Sequence, residues 1–482
     1  MKSRIIELDT WARRIPSPRM DFKIGAGQSV FPEWMRINVE VRVQLRSSDG
    51  RTAWGCSADW PSFGWLDKRA EVTPRQKLSD LLNLVQQVRD VYRSLPDFES
   101  PFACWWHAST TLESTRGERP LVPLCLAFAH ALFERALIDA WCRMEQIPFH
   151  RALSEGRLGL ELGQVHPELA GHVLGEWLPA QPRERVFLRH TVGSKDPLTE
   201  ADLDPHTRLG DRESWTLHDY LRREQISYLK IKVCGDPGVD LPRLQQIWVL
   251  VRDRDPHLTL DGNEAFANVA ALRDFITQLA KELPEFFARI LYIEQPLDRR
   301  QTLEPDTADD VHRLAQLKPL IIDEADGPLH AFRDAIAIGY RGVSHKNCKG
   351  LFKSLANFAL ARARSTTACE YFLSSEDLTN LPPVALPQDF AVVAALGLTH
   401  AERNGHHFFR GLAHLTPPEQ TQALTHYPRL YERRGNDTFL RIVAGQVDLS
   451  NVNDAIGLGV AVEPDWSAMV PLAKWLSEFE VD

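Results

Sequence analysis

The spacing of apolar positions changes along the chain. Residues 36–56 alternate apolar and polar side chains around Ser48-Asp49-Gly50, a pattern typical of a β-hairpin. Residues 76–94 and 121–146 repeat apolar side chains at helical spacing, and the second stretch is apolar enough to be a largely buried helix. The first 185 residues therefore predict an α+β domain.

Beyond residue 185, short apolar runs rich in β-branched residues alternate with amphipathic helical patterns. The runs are VFLRHTVG, ISYLKIKV, HLTLDGN, RILYIEQP, PLIIDEAD, YRGVSHKN, CEYFLSS and ALGLTHAE. Their ends follow one another at intervals of 39, 29, 33, 29, 23, 28 and 26 residues. A (β/α)8 barrel of roughly 250 residues allots about 31 residues to each unit. Both the number and the spacing of the runs predict an α/β protein with such a barrel, and residues 411–482 do not continue the pattern.

The composition excludes several classes of protein. The chain has 482 residues, and 56 basic against 65 acidic residues give a net charge of −9. That balance argues against a general nucleic-acid-binding protein, although it leaves room for a local basic pocket. No apolar run approaches the roughly 20 residues of a membrane span. We expect a cytoplasmic location, because the first 20 residues show no secretory pattern and the seven scattered cysteines lack a CxxC pair.

Ionisable residues stand at the ends of five consecutive runs. They are Lys230 and Lys232 in the second run, Asp261 in the third, Glu294 in the fourth, Asp323 in the fifth and Lys346 in the sixth. Lys230 and Lys232 share one direction, because strand residues two apart point to the same face. The carboxyl ends of barrel strands line the catalytic mouth, so we expect these side chains to converge there.

The three carboxylates predict a metal site. Carboxylates that lie close together without compensation repel one another and raise one another's pKa. A divalent cation removes the repulsion, and hard oxygen ligands with room for water or substrate oxygens suit Mg²⁺. The preference of acidic residues for helix N-termini explains any one of these positions, but it explains three together with the lysines poorly.

The lysines predict proton transfer. The second and sixth strands are four apart in a ring of eight, so Lys232 and Lys346 face each other across the mouth. A carboxylate bound between them would present one face of its α-carbon to each lysine. A lysine serves as a base only when its pKa is lowered, and neighbouring cations, including Lys230 beside Lys232, push in that direction.

In order and spacing these motifs resemble the enolase superfamily, closest to its muconate-lactonizing-enzyme and dipeptide-epimerase branch. The matching segments are LKIKV at 229–233, LDGNEAF at 260–266, YIEQP at 292–296, IIDEA at 321–325 and SHKNCKG at 344–350. ERALIDAW at 134–141 and GLGVAVEPD at 457–465 resemble the family's cap-domain segments. The resemblance implies an enlarged α+β cap over 1–185, a TIM barrel over 186–410, and a segment over 411–482 that returns to the cap.

The resemblance also implies roles for the residues. Asp261, Glu294 and Asp323 would bind Mg²⁺; Lys232 and Lys346 would be the acid/base pair; Lys230 would hold the substrate carboxylate and tune Lys232. The implied function is removal of the α-proton of a small-molecule carboxylate, with racemisation or epimerisation by the opposed lysines as the first choice. Acid-sugar dehydration and cycloisomerisation through the same enolate are alternatives, and a non-catalytic binding or scaffold relative is a third. We expect a homo-oligomer without a nucleic-acid or membrane partner.

Departures from the family pattern concern the last strands. Lys346 argues against the mandelate-racemase-like branch, which uses a His–Asp pair in place of that lysine. Dipeptide epimerases carry Asp-x-Asp at the eighth strand, where this chain reads HAERN over 400–404. Four residues at the predicted ends of strands seven and eight are candidate substrate contacts: Glu376, Asp377, His400 and Glu402.

Several other residues near the motifs can each be interpreted in two ways. Lys349 is an alternative to Lys346, and Asn263, Glu324 and Asp326 are expected beside the metal ligands. We expect His406-His407 to be a solvated pair. The tryptophans at 54, 60 and 65 and the segment Met20-Asp21-Phe22 fall where family caps place loops over the mouth, with ordinary packing as the alternative. Gly25-Ala26-Gly27 lacks the third glycine of a dinucleotide-binding fingerprint.

Overall fold

The structure is a computed structural model, and it describes residues 2–19, 32–114, 122–203 and 213–481. Met20-Asp21-Phe22 and Gly25-Ala26-Gly27 lie outside the described residues. In the N-terminal part, the strands are β1 Ser3–Arg14, β2 Ile37–Ser47 and β3 Thr52–Asp59, and the helices are α1 Phe63–Leu66, α2 Pro74–Ser94, α3 Pro101–Ser114, α4 Pro123–Met144, α5 Phe149–Ser154 and α6 Leu162–Val165.

The hairpin and both long helices predicted for this part are confirmed. Strands β2 and β3 pair antiparallel, and β1, which the alternation did not reveal, pairs with β2 over nearly its whole length. Helix α4 is buried on nearly every side and packs on this sheet. The contact is close because β3 contains Gly55, where a Cβ atom would stand 2.2 Å from the backbone nitrogen of Ala140.

A closed parallel barrel follows. Its strands are β4 Arg185–Val192, β5 Tyr228–Lys232, β6 His257–Asp261, β7 Ile290–Glu294, β8 Leu320–Ile322, β9 Gly342–His345, β10 Phe372–Ser375 and β11 His400–Arg403. Each strand pairs in parallel with the next, and β11 pairs with β4 to close the ring. The helices among them are α7 Leu217–Arg223, α8 Pro237–Val251, α9 Val269–Glu282, α10 Pro284–Ala288, α11 Ala308–Leu317, α12 Ala331–Ile338, α13 Leu351–Arg364 and α14 Ala385–Ala395. The predicted (β/α)8 fold is confirmed.

The C-terminal segment packs back on the N-terminal sheet. Its elements are α15 Gly405–Phe408, α16 Pro417–His426, β12 Tyr431–Arg434, β13 Asp437–Leu440, β14 Gln446–Asp448, α17 Ser450–Asp454, β15 Val470–Pro471 and α18 Leu472–Val481. Strand β15 pairs with β1. Arg13 of β1 forms buried ion pairs with Glu40 of β2 and Glu419 of α16. These contacts make the beginning and the end of the chain one cap, while the boundaries at 185 and 410 stay predictions.

Two further expectations can be compared with the structure. Within the described ranges, no helix combines the length and the apolar character that a membrane crossing requires. All seven cysteines are free thiols, and most of them are buried.

Candidate active site

The carboxyl ends of β5 to β9 bring the predicted residues together. Lys232, Asp261 and Glu294 are neighbours in the register of β5, β6 and β7. Asp323 and Lys346 directly follow β8 and β9. The three carboxylates are fully buried. Five consecutive strands therefore place one polar cluster at one end of the barrel.

Lys230 lies at the centre of four carboxylates. Its Nζ is 2.9 Å from Asp261 Oδ2 and 2.7 Å from Glu294 Oε2. It is also 2.7 Å from Glu376 Oε2 and 3.2 Å from Glu402 Oε2. Burial lowers the pKa of Lys230, but the four carboxylates outweigh it, so the net pKa is well above the ordinary value. Lys230 is thus held as an ammonium by the chain itself, and its contact with a substrate carboxylate stays a prediction.

Lys232 is the more accessible of the two lysines on β5. Its Nζ donates to Asp261 Oδ2 and to Asn263 Oδ1, both at 2.5 Å. A quarter of its side chain is exposed, whereas the side chain of Lys230 is 2% exposed. Lys232 is therefore placed to meet a molecule that enters the mouth.

Lys346 stands between a carboxylate and an aromatic ring. Its Nζ donates to Asp323 Oδ2 at 2.6 Å and lies 4.2 Å from the centre of the Trp65 ring. Burial lowers the pKa of Lys346 and Asp323 raises it, with a net upward shift. The lowered lysine pKa that a base requires is therefore not present at Lys346 in this arrangement.

The cap closes over the two lysines through a hydrogen-bonded bridge. Asn263 Nδ2 and Trp65 Nε1 both donate to Glu324 Oε1, at 2.8 and 3.0 Å. Because Asn263 also holds Lys232 and Trp65 covers Lys346, the bridge links the surroundings of both lysines. Trp54 and Trp60 have other roles: Trp54 stacks under Arg42, and Trp60 packs on Phe409.

The carboxylates fit a divalent cation in donor chemistry, burial and charge. Glu294 is the clearest sign. Neither of its oxygens accepts a well-formed hydrogen bond from the described residues, and burial, Asp261 and Glu376 raise its pKa well above the ordinary value. A bound cation lowers the free-energy cost of a buried carboxylate charge of this kind. Lysine ammoniums contact oxygens of Asp261 and Asp323 here, whereas Lys230 Nζ lies beside Glu294 Oε2 without a well-formed hydrogen bond. Among the described residues, no three His, Cys, Asp or Glu side chains have the geometry of a metal site.

Strands β10 and β11 place the four candidate substrate residues differently. Glu376 and Glu402 point into the barrel, where both contact Lys230. Asp377 follows β10 and accepts backbone N–H groups of Asn380 and Asn404; burial raises its pKa to about 6.

His400 does not lie at the mouth of the barrel, where the sequence predicted it. It is the first residue of β11, paired with Phe187 near the start of β4, and therefore lies at the end of the barrel away from the mouth. Its ring stacks on Tyr228, and its Nδ1 is 2.6 Å from Arg189 Nη1. The predicted strand was placed too early, because α14 and the turn at Gly397 take up the apolar residues before His400.

The expectation of a solvated His406-His407 pair is also wrong. His407 is buried, and its Nδ1 is 2.6 Å from the hydroxyl of Tyr220. His406 lies edge-on to the same tyrosine ring and to His190. Since His190 points away from the barrel interior, this aromatic cluster lies outside the mouth.

Sequence reasoning missed Arg189. This fully buried side chain of β4 points into the barrel, where it pairs with Glu376 and donates to the carbonyl oxygen of Ser375 at 2.9 Å. Its guanidinium fixes Glu376 against Lys230. The signal was a charged residue inside the strand-like run VFLRHTV, two positions before Thr191. Thr191 also faces inward and donates to Glu402.

Comparisons with known proteins agree with this architecture. No family model and no curated protein sequence matches the chain. Solved structures do match over nearly the whole length. An enolase from Bradyrhizobium complexed with magnesium and mandelic acid is 15% identical, with a TM-score of 0.58 over 98% of both chains.

Other solved structures share this fold. A muconate lactonizing enzyme from Klebsiella pneumoniae is 15% identical, with a TM-score of 0.57 over 96% of this chain and 98% of that one. An enolase from Pseudomonas fluorescens with bound magnesium, potassium and tartrate is 14% identical, with a TM-score of 0.57 over 100% of this chain and 93% of that one. At this identity the likeness concerns the fold, and the resemblance found in the sequence motifs is confirmed at that level.

Proposed function

We propose that the protein is an Mg²⁺-dependent enzyme of the enolase superfamily that removes the α-proton of a small carboxylate, most simply as a racemase or epimerase. One observation carries the proposal. Lys232, Asp261, Glu294, Asp323 and Lys346 converge at the carboxyl ends of five consecutive strands of a closed barrel. The magnesium and small carboxylates in two structures of the same fold support it.

The residues that would hold the ion are Asp261, Glu294 and Asp323. When bound, Mg²⁺ supplies Lewis-acid stabilisation of the negative charge that develops on a carboxylate as its α-proton leaves. Lysine ammoniums bring positive charge to two of these carboxylates: Lys230 and Lys232 contact Asp261, and Lys346 and Lys349 contact Asp323.

Lys232 and Lys346 move the proton. They approach from β5 and from the end of β9, four strands apart, so a carboxylate between them presents one face to each. Lys346 is held here as an ammonium by Asp323, which is the state that returns a proton to carbon. Lys232 is the more accessible partner. For the opposite enantiomer the two roles exchange, so the pair racemises rather than acting on one isomer only.

The same first step serves two other reactions. If the enolate expels a β-leaving group, the enzyme is an acid-sugar dehydratase, and the reverse addition makes it a cycloisomerase. The structural likeness to a muconate lactonizing enzyme favours keeping the second of these as the alternative. The cytoplasmic location and the homo-oligomeric state stay predictions.

Incubation in D₂O tests the proposal. The protein is mixed with Mg²⁺ and a panel of amino acids, dipeptides and sugar acids, together with mandelate and tartrate, and mass and chirality are followed. Deuterium gain with inversion supports a racemase or epimerase, and loss of water identifies a dehydratase. Absence of exchange across the panel, with no thermal shift on adding Mg²⁺, contradicts enzymatic function and favours a binding protein.

A further inference from the structure

Three lysines lie within eight residues after β9, and all three are buried. Lys346, Lys349 and Lys353 are each less than 5% exposed. A buried ammonium is costly unless charged and hydrogen-bonded partners compensate it, so the partners of each lysine show what it does. Lys346 is the proposed proton carrier, whereas the other two have no part in the proposed reaction.

Lys349 contacts Oδ1 of Asp323, which is the carboxylate oxygen that Lys346 does not contact. Its Nζ is 3.2 Å from Asp323 Oδ1 and 3.3 Å from the Asp323 carbonyl oxygen, whereas Lys346 donates to Oδ2. Ser344 Oγ lies 2.8 Å from the same Nζ and itself donates to Asp323 Oδ1. The two oxygens of one carboxylate are thus held by two different lysines.

Lys353 contacts Asp326 and lies further from Asp323 than Lys349 does. Its Nζ is 2.5 Å from the carbonyl oxygen of Asp326 and 3.4 Å from Asp326 Oδ2. Lys349 Nζ is also 3.1 Å from that Oδ2. Asp326 is therefore shared by the two lysines, but of these two only Lys349 reaches Asp323.

The backbone that carries Lys349 is fixed on its other side by the cap. Glu134 of α4 accepts the N–H groups of Leu351 and Phe352, which are the first residues of α13, at 2.9 and 2.5 Å. Gly350, with φ of +107°, makes the turn between Lys349 and that helix. The position of Lys349 is consequently determined by both the cap and the barrel.

We infer that Lys349 is a positioning residue, which holds Oδ1 of Asp323 so that Oδ2 keeps its direction toward the mouth. The inference rests on the proposed function. The Nζ of Lys349 is surrounded by oxygens of the chain, with 1% of the side chain exposed, so it positions Asp323 and does not meet substrate.

The test compares Lys349→Met with Lys353→Met, a matched control that removes a buried lysine from Asp326 and leaves Asp323 untouched. Mg²⁺ affinity of the substrate-free protein is measured by titration calorimetry. Residues that orient a metal ligand typically contribute a factor of about 10–100 in affinity. We expect a loss of that size in Lys349→Met and a clearly smaller change in Lys353→Met, because Lys353 does not contact the ligand Asp323.

Deuterium exchange at saturating Mg²⁺ separates positioning from proton transfer. Lys349→Met should then recover exchange with both enantiomers, whereas loss of one enantiomer would make Lys349 a proton carrier and overturn the inference. Equal Mg²⁺ affinities for the two variants also overturn it and leave the proposed function intact. If the wild-type chain binds no Mg²⁺, both fail together. Should Lys349→Met not fold, Ser344→Ala, which removes a hydrogen bond from the same oxygen, must weaken Mg²⁺ binding, and unchanged binding in Ser344→Ala rejects the inference.

Discussion

Replacing Lys230 with methionine should make the protein dependent on a divalent cation for its stability. The ammonium lies 2.7–3.2 Å from four buried carboxylates. At an effective dielectric constant near 20, one such contact is worth about 6 kcal/mol before desolvation is subtracted. Since removing one partner of a buried ion pair costs about 3–5 kcal/mol overall, we expect Lys230→Met to lose that much free energy of unfolding at pH 7.5 in EDTA.

Two conditions should restore part of the loss. Acid does so because Glu294, whose pKa is already raised by burial and its acidic neighbours, loses an attractive partner in the variant. Protonating Glu294 stabilises the folded state as the pH falls toward its unfolded pKa near 4.5. Mg²⁺ at 100 times its dissociation constant should add about 2.7 kcal/mol.

Urea denaturation followed by tryptophan fluorescence measures both effects. Lys474→Met is the control, because the Lys474 side chain is 67% exposed and its ion pair with Glu478 is long, at 3.9 Å. A Lys230→Met protein as stable as the wild type in EDTA would refute the reasoning. So would a loss that neither lower pH nor Mg²⁺ reduces.

Three further predictions concern stability and can be checked by the same denaturation assay. Glu294→Gln should raise the free energy of unfolding in EDTA at pH 8 by about 1 kcal/mol or more, because each unit by which a folded pKa is raised costs about 1.4 kcal/mol above the unfolded pKa. The gain in stability should vanish near pH 4.5, and the variant should no longer bind Mg²⁺. An unchanged urea midpoint at pH 8 would contradict the raised pKa of Glu294. His130 is partly buried, and desolvation lowers its pKa to about 3. The wild type should therefore lose up to about 2 kcal/mol more than His130→Phe between pH 6.5 and pH 5, and equal slopes would show that His130 does not titrate as described. Gly55→Ala should destabilise the cap by about 3 kcal/mol, because the added Cβ would meet the backbone of α4 at 2.2–2.7 Å; a neutral substitution would mean that α4 can move away.

Much of the barrel and its mouth could be predicted from the sequence because both depend on local patterns. Seven of the eight apolar runs became strands where they were predicted, and a strand's carboxyl end fixes where the next residue lies. That is why Asp261 and Glu294 could be placed without knowledge of any contact. Neither β1, whose pattern does not alternate cleanly, nor the true start of β11 could be predicted in the same way. The turn at Gly397 moved His400 to the opposite end of the barrel.

Side-chain partners were the part that sequence patterns could not supply. Lys230, Lys232 and Lys346 were predicted at the mouth, but their pairing with particular carboxylate oxygens depends on distances between strands that are far apart in sequence. Arg189 illustrates the limit: a charged residue inside a barrel strand indicates a buried partner of opposite charge, yet that partner, Glu376, lies 187 residues further along the chain. Such pairings follow from the closure of the barrel.

The most direct test of the account is the enantiomer dependence of solvent deuterium exchange in Lys232→Ala and Lys346→Ala. The assay uses the carboxylate that exchanges in the panel, supplied as each pure enantiomer with Mg²⁺ in D₂O. We expect the wild type to exchange with both enantiomers, each variant to lose exchange with a different one, and EDTA to abolish exchange in all three proteins. Exchange with both enantiomers in either variant, or exchange that persists in EDTA, would contradict it.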